Sequence, residues 1–156
     1  MIGSGPPFRA IADGTECLVD RSGEKVKLLG IAGRIFHDLK FDPQWESTIC
    51  ALVSCTDEPI WAQECLEKFK IYGGQHSLMT AVHSSQIYKS NKQIHFQNLR
   101  KEYPDIAFDE MVFFDNERWN IDCVRKLGVH CIYCPDGLTE DIWERAMEQY
   151  HLSKTR

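Results

Sequence analysis

The chain has 156 residues and a mass of 18.0 kDa, the size of one compact domain, and its 43% hydrophobic and 26% charged residues supply a core that a disordered or collagen-like chain lacks. Its 18 Lys+Arg against 23 Asp+Glu leave a net charge of -5 and a pI of about 5.7, which excludes nucleic-acid binding by a general basic field. The sequence contains neither a run of about 18 apolar residues nor, at MIGSGPPFRA, an apolar signal-peptide core, so no membrane is expected as a partner.

In chain order, the stretch to about Ala12 is rich in Gly and Pro and has no period. Glu16 to Leu29 then predicts a small hairpin around the turn Arg21-Ser22-Gly23-Glu24. Ile31, Ile35, Phe36 and Leu39 recur at helical spacing and stop at Asp42-Pro43, because proline cannot continue a helix. Thr48 to Ser54 is a continuous apolar run, the pattern of a strand buried on both faces in a parallel sheet. A polar turn, Cys55-Thr56-Asp57, leads to a helix over Glu58 to Phe69. A weaker strand is expected within Leu78 to Val82, and a helix over Lys92 to Tyr103. Met111 to Phe114 predicts a second buried strand, ending in Asp115-Asn116-Glu117. A helix through Ile121, Val124 and Leu127 to Gly128, a third strand over His130 to Tyr133 and a closing helix over Leu138 to Leu152 complete the chain. Strands alternating with helices argue for an α/β fold with a mostly parallel sheet.

Ligands of open parallel sheets bind beyond the carboxyl ends of the strands. Two such ends carry chemistry. Ser54-Cys55-Thr56-Asp57 offers hydroxyls and amides before a helix, an anion site or equally an ordinary N-cap. Asp115-Asn116-Glu117 offers hard oxygens suited to Mg²⁺, or simply a solvated acidic turn. The seven cysteines are odd in number and lie in apolar runs, as reduced thiols of an intracellular protein do, and a cytoplasmic or organellar setting is expected. Cys131 and Cys134 have C-x-x-C spacing but no second pair for zinc and read as strand residues. Cys55, at the mouth of the expected crevice, is the one cysteine placed for reactivity, or else a buried inert thiol. His95 reads as a helix-surface or packing residue. Lys92 starts a helix, where a cation opposes the dipole, and that unusual placement suggests a use.

The order Val53-Ser54-Cys55-Thr56, Ile87-Tyr88-Lys89-Ser90-Asn91-Lys92 with His95-Phe96, Phe113-Phe114-Asp115-Asn116-Glu117 with Asn120-Ile121, and Lys126-Leu127-Gly128-Val129 resembles the magnesium-dependent phosphatase family of the haloacid dehalogenase superfamily. Pro6-Pro7-Phe8, Asp13-Gly14-Thr15 and Asp20-Arg21 resemble that family's small β flap. The resemblance implies a single Rossmann-like domain over 1–156, with the flap over about 6–29 and an α/β core over about 30–156. It implies a hydrolase of phosphate monoesters, of phosphosugar or phosphotyrosine type, in which a phosphoryl group passes to an aspartate and then to water. Its partners would be a small phosphorylated substrate or a phosphoprotein. Carried over residue by residue, Ser54 and Cys55 bind the substrate phosphate, Lys92 neutralises its oxygens and screens the nucleophile, and Asp115 and Asn116 hold Mg²⁺.

The departures bear on the same chemistry. Asn116 stands where the family usually has a second aspartate, and Cys55 replaces a common arginine. The superfamily's Asp-x-Asp-x-Thr motif, which supplies the nucleophile, has no match: no Asp-x-Asp occurs in the sequence, and none of Asp13, Asp20 or Asp42 is expected to follow a buried apolar strand. The motif's strand is central in the superfamily's sheet, between the strands ending at Ser54 and Phe114. The expectation is a shortened version of a longer, active protein whose nucleophile lies upstream of this chain; the alternative is a degenerate, catalytically silent phosphate-binding or interaction module.

Overall fold

A computed structural model describes residues 4–11, 17–71 and 74–155, so Asp13-Gly14-Thr15 lies outside the described residues. The chain divides into two units, Met1–Leu28 with Ala32–Lys89 and Leu29–Ile31 with Ser90–Arg156. Each is described by itself.

In the first unit β1 (Arg9–Ala10), β2 (Cys17–Val19) and β3 (Lys25–Lys27) form an antiparallel sheet in that order, with Leu18 opposite Val26. The expected hairpin is present and gains β1 as a third strand. Its turn closes through Asp20 N–H to Glu24 O (2.9 Å) and Gly23 N–H to Asp20 O (3.1 Å). Gly23 sits at φ +88°, where a side chain would be strained. Helix α1 (Ala32–Phe41) ends where Asp42 takes the Gln44 N–H (3.0 Å) and caps a short 3₁₀ turn, Pro43–Trp45. Phe8, Leu18, Cys65, Phe69, Ile71 and Leu78 make the core of this unit.

Strand β4 (Ala51–Ser54) pairs in parallel with β5 (Ser84–Ile87), Ser54 opposite Ile87, and α2 (Pro59–Lys68) lies between them in the chain. Two expectations change here. The strand expected over Thr48 to Ser54 starts only at Ala51 and is only partly buried, because Thr48 N–H still bonds Trp45 O (2.9 Å) and Ile49 remains 37% exposed. The strand expected within Leu78 to Val82 is instead a 3₁₀ turn over Leu78–Ala81. Ser77 caps it by accepting the Met79 N–H, and Leu78 and Ala81, three apart, both turn inward. The strand begins two residues later, in Ser84-Ser85-Gln86-Ile87, which is too polar to announce itself by hydrophobic pattern.

The second unit follows its expected order. Helix α3 (Lys92–Glu102) is capped by the Asn91 side chain, which accepts the Ile94 N–H at 3.0 Å. Strands β6 (Val112–Asp115) and β7 (His130–Tyr133) pair in parallel, joined by α4 (Arg118–Arg125), with Asp115 opposite Tyr133. Gly128 adopts φ +95° just past α4 and donates to Arg125 O. Helix α5 (Glu140–Lys154) starts on a Thr139 cap with Glu140 and Asp141 in its first turn, where carboxylates complement the dipole. Phe96, Leu99, Phe113, Ile121, Val124, Val129 and Ala146 are buried, and the Phe96 and Phe113 rings meet edge to face with centroids 5.0 Å apart. The expected α/β architecture is therefore present as two parallel strand pairs with flanking helices, β4–β5 and β6–β7. Among the described residues no helix is long and apolar enough to cross a membrane.

Candidate functional site

At the carboxyl end of β4 the backbone is held first: Ser54 O accepts the Tyr88 N–H at 3.1 Å. The Ser54 hydroxyl oxygen then accepts the Thr56 N–H (3.4 Å), and Thr56 Oγ1 accepts the Glu58 N–H (3.0 Å). These two hydroxyl turns lead the chain to Pro59, the first residue of α2, which has no N–H to satisfy. The hydroxyls expected as anion donors thus also serve as acceptors for their own loop. A hydroxyl has one proton besides its lone pairs, so each keeps a donor for a ligand. Cys55 lies between them as a half-buried free thiol.

The carboxyl end of β6 is more tightly organised. Asp115 O accepts the Cys134 N–H (3.0 Å), Oδ1 accepts the Glu117 N–H (2.7 Å) and Oδ2 accepts Nδ2 of Asn120 (3.1 Å). Nζ of Lys92 lies 3.8 Å from the same Oδ2, with side-chain exposures of 5% for Lys92 and 11% for Asp115. The lysine is the first residue of α3, where the helix dipole disfavours a cation, and the Asp115 carboxylate offsets that cost. Its ammonium also lies 5.9 Å from the centre of the Phe113 ring. Asn116 is exposed beside this pair.

The structure therefore brings Lys92 and Asp115 together, with Asn116 adjacent, in one unit, and sets Ser54 and Cys55 together in the other. The donor set fits Mg²⁺. Asp115 retains lone pairs beyond those used by Glu117 and Asn120, and Asn116 adds an exposed amide oxygen. Among the described residues no group of three or more His, Cys, Asp or Glu is arranged to hold a metal, whereas Mg²⁺ needs few protein oxygens and keeps its waters.

The remaining candidates have structural roles. Asp20 follows β2, a short strand in which only Leu18 is buried, and is itself 0% exposed. Its Oδ1 accepts the Ser22 N–H (2.9 Å), Ser22 Oγ–H (2.8 Å) and Glu24 N–H (2.9 Å), and its Oδ2 the Ser4 N–H (2.5 Å). These bonds, the one from Ser4 foremost, hold its pKa down at about 2. Asp42 is engaged by Gln44 through both backbone and side chain. His95 is a fully buried packing residue with Nδ1 2.9 Å from Asn91 O. All seven cysteines are free; burial pushes the thiol of Cys131, a β7 residue, up to about 11 and raises that of Cys134, which lies just past the strand's end rather than in it as expected. Sequence reasoning gave Asn120 no role. Its signal was its place five residues after Asp115, in the first turn of the next helix.

The family model described as Acid Phosphatase matches residues 2–153. The chain belongs to the acid phosphatase family. The chain is 33% identical over 150 residues to human magnesium-dependent phosphatase 1, covering 96% of this chain and 77% of that relative. The motif resemblance to magnesium-dependent phosphatases is thereby upheld. In fold, this acid phosphatase family member is similar to the N-terminal part of a Bacteroides fragilis protein that contains a phosphatase domain complexed with Mg. The TM-score is 0.51 at 18% identity, over 92% of this chain and 36% of that one.

Proposed function

We propose that the chain is a magnesium-dependent phosphatase domain that hydrolyses phosphate monoesters, of phosphosugar or phosphotyrosine type, on a small molecule or a phosphoprotein. The observation that carries this reading is the Lys92–Asp115 pair, 3.8 Å apart and almost wholly buried at a strand's carboxyl end. A largely buried ammonium beside a carboxylate supports this reading, since catalysis of phosphoryl transfer is mostly positioning and charge stabilisation. Asp115 and Asn116 would hold Mg²⁺, which when bound neutralises phosphate oxygens. Lys92 would neutralise the oxygens of the transferring group, and the Ser54 hydroxyl and the Cys55 loop would bind the phosphate. We take the flap over about 6–29 and the core over about 30–156 as parts of one phosphatase domain. The free thiols suit an intracellular, cytoplasmic setting.

In this reading the phosphoryl group passes to an aspartate supplied upstream of this chain and then to water. The test is an assay on an aryl phosphate with Mg²⁺, for this chain alone and again with an upstream strand carrying Asp-x-Asp-x-Thr joined to it. The expected outcome is turnover only in the second form. Turnover by the chain alone overturns the missing nucleophile. Silence in both, with retained binding of a phosphate mimic, favours the silent binding module. Substituting Lys92→Ala or Asn116→Ala should each abolish metal-linked binding of that mimic, and unchanged binding in both overturns the assigned roles.

A further inference from the structure

Arg118 opens α4 three residues after Asp115, and its guanidinium carbon lies 4.0 Å from the centroid of the Tyr133 ring. Tyr133 ends β7 directly opposite Asp115 in the β6–β7 register. Ring, guanidinium and carboxylate therefore stand at the carboxyl ends of two hydrogen-bonded strands, within one unit. The other arginines named in this unit have oxygen partners: Arg125 with Asp122 at 3.3 Å, Arg145 with Asp141, and Arg100 with the carbonyls of Tyr103 and Pro104. Arg118 is exposed, and among the described residues its contact is with an aromatic face rather than a carboxylate or carbonyl. Stacking fixes the plane of a guanidinium while leaving its edge, which carries the N–H donors, open to a planar or tetrahedral oxyanion. A side chain ordered before the ligand arrives loses less freedom on binding.

We propose that Arg118, held over the Tyr133 ring, binds a second oxyanion of the substrate. The phosphate monoesters this site selects then carry a carboxylate or a second phosphate besides the group handled at Asp115 and Lys92. This specificity role rests on the phosphatase reading. It assigns Arg118 to substrate choice and Tyr133 to positioning.

The test is equilibrium binding, by calorimetry with the full chain and Mg²⁺, of phenylphosphonate, 4-carboxyphenylphosphonate and benzene-1,4-bisphosphonate. At least one doubly anionic probe should bind about 10-fold or more tighter than phenylphosphonate, as expected for charge-assisted bonds. Arg118→Gln should remove that preference and leave phenylphosphonate within about 2-fold, because a single lost charge-assisted bond accounts for the difference. Arg118→Lys should keep only part of the preference, since a point charge lacks the fork, and Tyr133→Leu should weaken it while Tyr133→Phe preserves it. Equal binding of all three probes by the unaltered chain, or a preference that survives Arg118→Gln, overturns the inference and leaves the phosphatase reading standing. Binding of none of the probes overturns both.

Discussion

Nδ2 of Asn120 donates to Oδ2 of Asp115 across 3.1 Å, tying the first turn of α4 to the end of β6. The amide fixes the rotation of a carboxylate whose other oxygen is taken by the Glu117 N–H. Partners of this kind orient a metal ligand, and their loss typically weakens metal binding by roughly 10–100-fold. With Asp115 in its proposed role of Mg²⁺ ligand, Asn120→Ala should lower Mg²⁺ affinity in that range while leaving the melting temperature nearly unchanged, as measured by Mg²⁺ titration calorimetry and thermal unfolding. Unaltered Mg²⁺ affinity would show that Asp115 needs no such support.

Lys92 and Asp115 form a pair with 5% and 11% side-chain exposure. Removing the lysine charge leaves a largely desolvated carboxylate that keeps its bonds from Glu117 and Asn120, so the penalty is moderate. Lys92→Met should destabilise the chain by about 1–3 kcal/mol in urea unfolding. Adding Asp115→Asn should recover part of the loss, and strict additivity of the two changes would mean that the charges do not interact.

Asp20 ties the β2–β3 turn to Ser4, and its carboxyl is lowered from 3.8 to about 2. A carboxyl whose folded pKa lies below its unfolded value stabilises the fold above the unfolded value. That contribution disappears as pH falls through the folded one. Stability should therefore drop between about pH 4 and pH 2 through this group, as the two pKa values require. Asp20→Asn, which cannot accept all those N–H groups, should be less stable at neutral pH and should flatten that part of the pH profile in denaturant titrations.

Gly30 has φ +60°, and a Cβ built on it runs into the carbonyl group of Leu138, whose oxygen accepts the Ile31 N–H at 2.9 Å. The obstacle is backbone, which cannot rotate aside as a side-chain tip can. Gly30→Ala should destabilise by about 2–4 kcal/mol, combining left-handed strain with a displaced backbone bond. Gly23→Ala, at φ +88° but in open space, should cost only the strain, about 1–2 kcal/mol. Equal effects at the two positions in urea unfolding would contradict this difference.

Hydrophobic period and capping chemistry made most elements legible. Ile31, Ile35, Phe36 and Leu39 marked α1, Asp42-Pro43 marked its end, and Gly128 marked the close of α4. Element type failed in two places. Leu78-Met79-Thr80-Ala81 reads apolar like a strand, yet Ser77 bonds its own loop and winds it into a 3₁₀ turn, while the real strand, Ser84–Ile87, is specified by pairing with β4 rather than by hydrophobicity. In the site, residue types were visible at Ser54, Lys92, Asp115 and Asn116, but not what each one touches.

By itself the sequence determined the class, the order of most helices and strands, the family and the absence of an Asp-x-Asp segment, because these depend on spacing and residue type alone. Only the tertiary structure decided that Asp20 is a sealed turn anchor, that Lys92 meets Asp115, that Asn120 steadies it and that Arg118 lies on Tyr133. Each depends on distances between residues far apart in the chain or on the side-chain direction at a helix start. Strand register and helix packing set those quantities, and no local pattern encodes them.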